Sequence, residues 1–74
     1  MDSKSENMIN IKVNGDEKSV PEGMNVDELQ DYFKVKKQAA VVEHNRKVLR
    51  QKENKDVQVV EGDVIEIVKF VGGG

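Results

Sequence analysis

The chain has 74 residues, enough for one small domain, with no cysteine, 12 basic and 14 acidic residues and a net charge of −2. This excludes a disulfide framework, a cysteine metal site and a thiol nucleophile, and gives no general attraction to nucleic acid. One tyrosine and two phenylalanines are too few for a base-stacking surface, and no apolar run approaches the ~20 residues of a membrane span.

Residues 1–7 are polar and aperiodic and read as a disordered leader. They lack the apolar segment of a signal peptide, so a cytoplasmic protein without membrane contact is expected. From Met8 onward Ile9, Ile11 and Val13 alternate with Asn10, Lys12 and Asn14, the period of a half-buried strand. Asn14-Gly15 is a hairpin signal, because both residues tolerate positive φ. The return strand is expected over residues 17–20. Pro21-Glu22-Gly23 ends it, since proline cannot donate to a ladder.

A helix is predicted from Val26 to Phe33 or Lys34. Asn25 and Glu28 have the spacing of a capping box, and Met24 and Leu29 that of a hydrophobic staple. Asp27 and Glu28 suit the positive end of the helix dipole. Val26, Leu29 and Phe33 form one apolar stripe, too short to be stable unless it packs on a sheet. Lys36-Lys37-Gln38 is a basic link. Residues 39–44 read as a strand, Asn45-Arg46 as a turn, and residues 47–50 as a partner strand. Residues 51–56 form a polar loop, and Val57, Val59 and Val60 a brief extended piece. Glu61-Gly62-Asp63 then turns the chain into the longest strand candidate, residues 64–71.

This order gives an α+β fold, a mixed sheet of four to five strands with one main helix on one face. The long last strand is expected beside and parallel to the first, both inside the sheet, as in the ubiquitin-like β-grasp. Alternation along it places Ile65 and Ile67 under the helix and Val68 and Phe70 on the opposite, exposed face. An exposed phenylalanine at the root of the tail is a candidate docking patch; the competing reading packs it under a loop. Gly72, Gly73 and Gly74 follow. Three residues without side chains make a flexible tail, and residues 71–74 reach about 13 Å when extended. Such a tail can thread a slot in another protein and present a carboxylate there, or it can simply be a frayed end.

No other chemistry competes with the tail. His44 has no serine or cysteine partner in any motif and reads as a strand residue. Gly15, Gly23 and Gly62 stand singly at turns, so none builds a phosphate-cradling loop. Glu61, Asp63 and Glu66 are read either as a steering surface for a basic partner or as solvated turn and strand positions. Lys36, Lys37, Arg46, Lys47, Arg50 and Lys52 read as solvated surface.

The C-terminal run Glu61-Gly62-Asp63-Val64-Ile65-Glu66-Ile67 with Val68-Lys69-Phe70-Val71-Gly72-Gly73-Gly74 resembles that of the ThiS family of thiamine-biosynthesis sulfur carriers. Ile9 to Gly15 resembles the family's first hairpin, and Val42-Glu43-His44-Asn45 with Val48-Leu49 its middle strand pair. The departures are the polar leader and the charged Lys69. The chain is expected to divide into a leader at 1–7, a β-grasp domain at 8–71 and a glycine tail at 72–74. The resemblance implies a protein co-substrate rather than an enzyme, a monomer with no bound cofactor. A ThiF-like adenylyltransferase would use ATP and magnesium to adenylylate Gly74. A cysteine-derived persulfide donor would convert Gly74 to a thiocarboxylate, and a ThiG-like thiazole synthase would take the sulfur. Other destinations remain open at this point: a molybdopterin-synthase small subunit, a tRNA-thiolation carrier, or a ubiquitin-like modifier or interaction module.

Overall fold

The computed structural model describes residues 7–70. Strand β1, Met8–Val13, alternates exposed and buried residues along its whole length. Asn14 and Gly15 both adopt positive φ, 52° and 86°, and turn the chain into β2, Asp16–Pro21. Val13 pairs with Asp16 and Met8 with Pro21, so β2 is one residue longer at each end than the sequence suggests. Pro21 is tolerated because β2 is an edge strand and needs no donor on its outer side.

Helix α1, Val26–Tyr32, starts with the expected capping box. Asn25 Oδ1 accepts from Glu28 N at 2.8 Å, and Asn25 N donates to Glu28 Oε1 at 3.0 Å. The next two free amides are also satisfied, Val26 N by Val57 O and Asp27 N by Asn54 O. The extended piece at residues 57–59 therefore docks on the start of the helix rather than joining the sheet, with one bridge between Gln58 and Asn25.

The helix stops one to two residues before its predicted end. Phe33 is the C-cap, and Lys34 turns left-handed at φ 59°. Val35 N then donates to Gln30 O and Lys34 N to Asp31 O, the Schellman pattern, which closes the last carbonyls. A non-glycine residue in this conformation costs roughly 1 kcal/mol, and burial of Val35 just beyond it offsets that cost.

The basic link forms a short 3-10 turn, Lys37–Ala39, because Lys37 reaches back to Asp27 and Asp31 at 3.0 Å each. The bond to Asp31, then that to Asp27, raises the Lys37 pKa. Strands β3, Ala40–His44, and β4, Lys47–Leu49, follow, joined by Asn45 and Arg46 at positive φ. Each is one residue shorter than predicted. The polar loop contains a further 3-10 turn, Gln51–Glu53. Strand β5, Val64–Lys69, ends before Phe70, and Val71 lies outside the described residues.

The sheet order is β2-β1-β5-β3-β4. β5 runs parallel to β1, pairing Lys12 with Val64, and antiparallel to β3, pairing Val42 with Ile67. The β1 neighbour is the one expected from the length of the last strand, and β1 and β5 present their apolar faces to the same side. Ile9, Ile11, Val13, Val42, Ile65 and Ile67 pack there against Val26 and Leu29 of α1. The stripe on α1 has one member that the apolar reading passes over. Gln30 is 1% exposed, beside Asn54 at 3%, and Asn54 Nδ2 donates to Gln30 Oε1 at 3.0 Å.

Candidate functional site

The parity of β5 divides its residues between two environments. Ile65 and Ile67 are buried beneath α1, while Val64, Glu66 and Val68 face away from it. Val68 is 53% exposed, and Phe70, just past the strand, 56%. On this outer face Val68 stands opposite the half-buried Val41. Val48 of β4, opposite Glu43, adds a third exposed apolar side chain. Glu43 stands directly opposite Glu66, and two like charges so placed repel. The sheet thus leaves an apolar strip with an acidic pair beside it that makes no ion pair among the described residues. That combination suits a partner bringing apolar contacts and a cation.

The opposite end of β5 is enclosed. Asp63, which precedes the strand, is 5% exposed. Its Oδ2 lies 2.8 Å from His44 Nε2 and accepts from Val60 N at 2.9 Å. Its Oδ1 accepts from Asn45 Nδ2 at 3.1 Å. An ionised carboxylate only accepts, so the His44 nitrogen facing it carries the proton. Burial alone raises the Asp63 pKa. The bonds from Val60 N, His44 and Asn45 outweigh it and hold the carboxyl below its ordinary value. Asn45 Oδ1 meanwhile accepts from Val64 N at 2.8 Å, which ties the β3–β4 turn to the first residue of β5. Asp63 is therefore neither a steering charge nor a solvated turn residue, and His44 is its structural partner. Glu61 is occupied as well, accepting from Asn10 N at 3.0 Å; Glu66 remains exposed on the outer face.

A second brace acts on the middle of β5. Asn14 Oδ1 accepts from Ile67 N at 2.7 Å and Asn14 Nδ2 donates to Ile67 O at 3.3 Å. The hairpin-turn side chain thus extends the β1–β5 ladder past the point where β1 has turned away. Nothing in the Asn-Gly signal announces this second task. Gln30 was legible in principle, because it occupies the i+4 position of the stripe begun by Val26.

Gly72, Gly73 and Gly74 lie outside the described residues. The described part of the strand that leads to them is fixed up to Phe70, whose N donates to Ala39 O at 2.8 Å. Among the described residues no group of three histidine or acidic side chains is placed to hold a metal, and no helix is long and apolar enough to cross a membrane.

Residues 6–74 match the ThiS family. Among curated proteins the chain is similar to the sulfur carrier protein ThiS of Bacillus subtilis (strain 168), 33% identical over 49 residues that cover 66% of this chain and 74% of that one. Among solved structures it is similar to the thiamine biosynthesis protein ThiS of Geobacter metallireducens, with a TM-score of 0.78 and 36% identity to the crystal structure over 89% of this chain and all of that one. The solution structure of a Geobacter metallireducens thiamine biosynthesis protein gives the same TM-score and identity over 88% of its chain. The mixed five-stranded sheet with its single helix is thus the ubiquitin-like β-grasp of these proteins. With a match that extends through the glycine tail and a fold shared with ThiS structures, the chain belongs to the ThiS family.

Proposed function

We propose that this protein is the sulfur carrier for thiazole formation in thiamine biosynthesis and that the Gly74 carboxylate is its working group. A family match that extends to Gly74 carries the reading. The exposure of Val68 and Phe70 at the root of the tail is consistent with it. A carboxylate is a poor electrophile, and activation splits one hard step into two easier ones. A ThiF-like adenylyltransferase uses ATP and magnesium: a Gly74 oxygen attacks the α-phosphate, pyrophosphate leaves, and an acyl-adenylate forms. The terminal sulfur of a cysteine-derived persulfide then attacks the acyl carbon and expels AMP. A second thiol cleaves the resulting acyl disulfide and leaves the Gly74 thiocarboxylate, which a ThiG-like thiazole synthase consumes.

In this scheme the protein supplies position and contributes no catalytic group. Gly72 and Gly73 present no Cβ to the walls of a slot, so the carboxylate can be brought to the α-phosphate in a closed site, where proximity lowers the barrier. Val68 and Phe70 seat the partner at the root of the tail.

Incubation with the cognate activating enzyme, ATP, magnesium and a sulfur donor is expected to add about 16 Da to the intact chain, sulfur replacing oxygen in the activated acyl group. Removing Gly74 is expected to abolish that gain while leaving the thermal melt unchanged. An unaltered mass for the complete chain with a competent enzyme overturns the reading.

A further inference from the structure

Lys69 is the residue that sits least comfortably in its strand. It shares the helix-facing side of β5 with Ile65 and Ile67 but is exposed, because it lies opposite Ala40 at the very start of β3, beyond the reach of α1. There it borders a groove of about 240 Å³, lined by Lys34, Val35, Lys36, Ala39, Lys69 and Phe70. The walls are set by backbone. Lys34 is fixed by the left-handed turn that ends α1, Val35 by its bond to Gln30 O, and Phe70 by its bond to Ala39 O.

The charge in this groove is sorted rather than averaged. Of the basic run at residues 34–37, Lys37 is drawn away to Asp27 and Asp31. Lys34 and Lys36 stay with Lys69, and among the described residues no carboxylate lines the groove with them. A chain whose net charge is −2 thus gathers three ammonium groups around three apolar side chains, at the root of its tail. Clustered charge of one sign steers encounter with a surface of the other sign.

We infer that this groove docks an acidic segment of the partner that receives the tail, with an apolar side chain of that segment seated on Val35, Ala39 and Phe70. The inference rests on the carrier reading, and it adds a surface distinct from the apolar strip on the outer face. The location is constrained by reach. Phe70 is four residues from Gly74, about 13 Å when extended, so the mouth of any slot holding the carboxylate must lie close to the groove. Exposed ion pairs contribute little one at a time. Three acting together alter association rate and salt dependence far more than the chemistry that follows.

The test compares the full chain, the variant K34E/K36E/K69E, and a control, K52E/K55E, which reverses charge in a separate hollow lined by Lys52 and Lys55. Affinity for the purified activating enzyme is measured by calorimetry, and conversion by intact mass. The groove variant is expected to bind about tenfold or more weakly at roughly 50 mM salt and within about threefold of the unaltered chain at roughly 500 mM, where screening is strong. Conversion at saturating carrier should be unchanged, as should the affinity of the control. Equal affinity of groove variant and unaltered chain at low salt, or an equal loss in the control, overturns the docking inference while leaving the carrier reading intact. Failure of the unaltered chain to gain mass overturns the carrier reading itself. All three lysines are exposed, and thermal melts verify folding; K36E/K69E, which spares the left-handed turn, carries the same test should the triple variant be destabilised.

Discussion

At the start of β5 both carboxylate oxygens of Asp63 are engaged, by His44, Asn45 and Val60 N, and the residue is 5% exposed. At the other end Phe70 is 56% exposed, and its N donates to Ala39 O. Between them the strand is laddered on both sides and braced once more by Asn14. This asymmetry has a mechanical meaning. A strand that must deliver its own C-terminal extension into another protein needs its direction fixed from behind, where no partner reaches, and its leading end left clear. Polar satisfaction is concentrated where β5 enters the sheet, and apolar exposure where it leaves.

The strongest way to break the comparison is at the enclosed end. Asp63→Ala removes the acceptor for three donors and leaves Asn45, which also holds Val64 N, without its anchor. A loss of about 3 kcal/mol is expected in urea unfolding, since hydrogen bonds to a buried charge contribute about 1.5–3 kcal/mol each and are not additive. For a domain with roughly 5 kcal/mol in total that is a severe loss. A shift of less than about 1 kcal/mol would show that the network follows the position of β5 and does not set it.

The same network predicts a smaller effect of pH. The folded-state pKa of Asp63 is depressed, so its contribution is complete above the unfolded carboxylate value near ~4 and is lost as pH falls through the folded value. Thermal melts of the wild-type chain should therefore decline below about pH 4 more steeply than those of Asp63→Asn, which cannot titrate there. Parallel curves would remove Asp63 from the acid response.

These two ends were unequally legible in the sequence. The exposed end follows from alternation alone: once Ile65 and Ile67 are assigned to the core, Val68 and Phe70 must face away. The enclosed end does not, because Asp63 and Asn45 are turn residues by composition, and turn residues are ordinarily solvated. Only the register that sets His44 opposite Ile65 brings His44, Asn45 and Asp63 together across 19 residues of sequence. Lys34 carries the same lesson at the end of α1. A helix stop is usually marked by glycine, and a lysine gives no such mark, so the predicted helix overran. The parallel pairing of β5 with β1 was readable from the order of the elements and the length of the last strand. The docking of residues 57–59 on the helix start was not, since Val57, Val59 and Val60 in an extended piece suggest a sheet and not a cap.

The smallest expected effect on stability is the one that most sharpens the comparison. Phe70→Ala should cost less than about 1 kcal/mol in unfolding, because a side chain more than half exposed leaves little cavity behind. Affinity for the activating enzyme should nevertheless fall about tenfold or more, the scale of an aromatic anchor at an interface. Phe70 borders both the outer strip and the lysine groove, and salt separates the two contributions. A loss through apolar contact persists at high ionic strength, whereas a loss through the lysines fades as their charge is screened. A Phe70→Ala deficit that holds from low to high salt, beside a lysine-variant deficit that does not, would assign the aromatic ring to seating and the ammonium groups to steering. Loss of several kcal/mol of stability on Phe70→Ala would instead place the ring in the packing of the domain, and β5 would then be anchored at both ends.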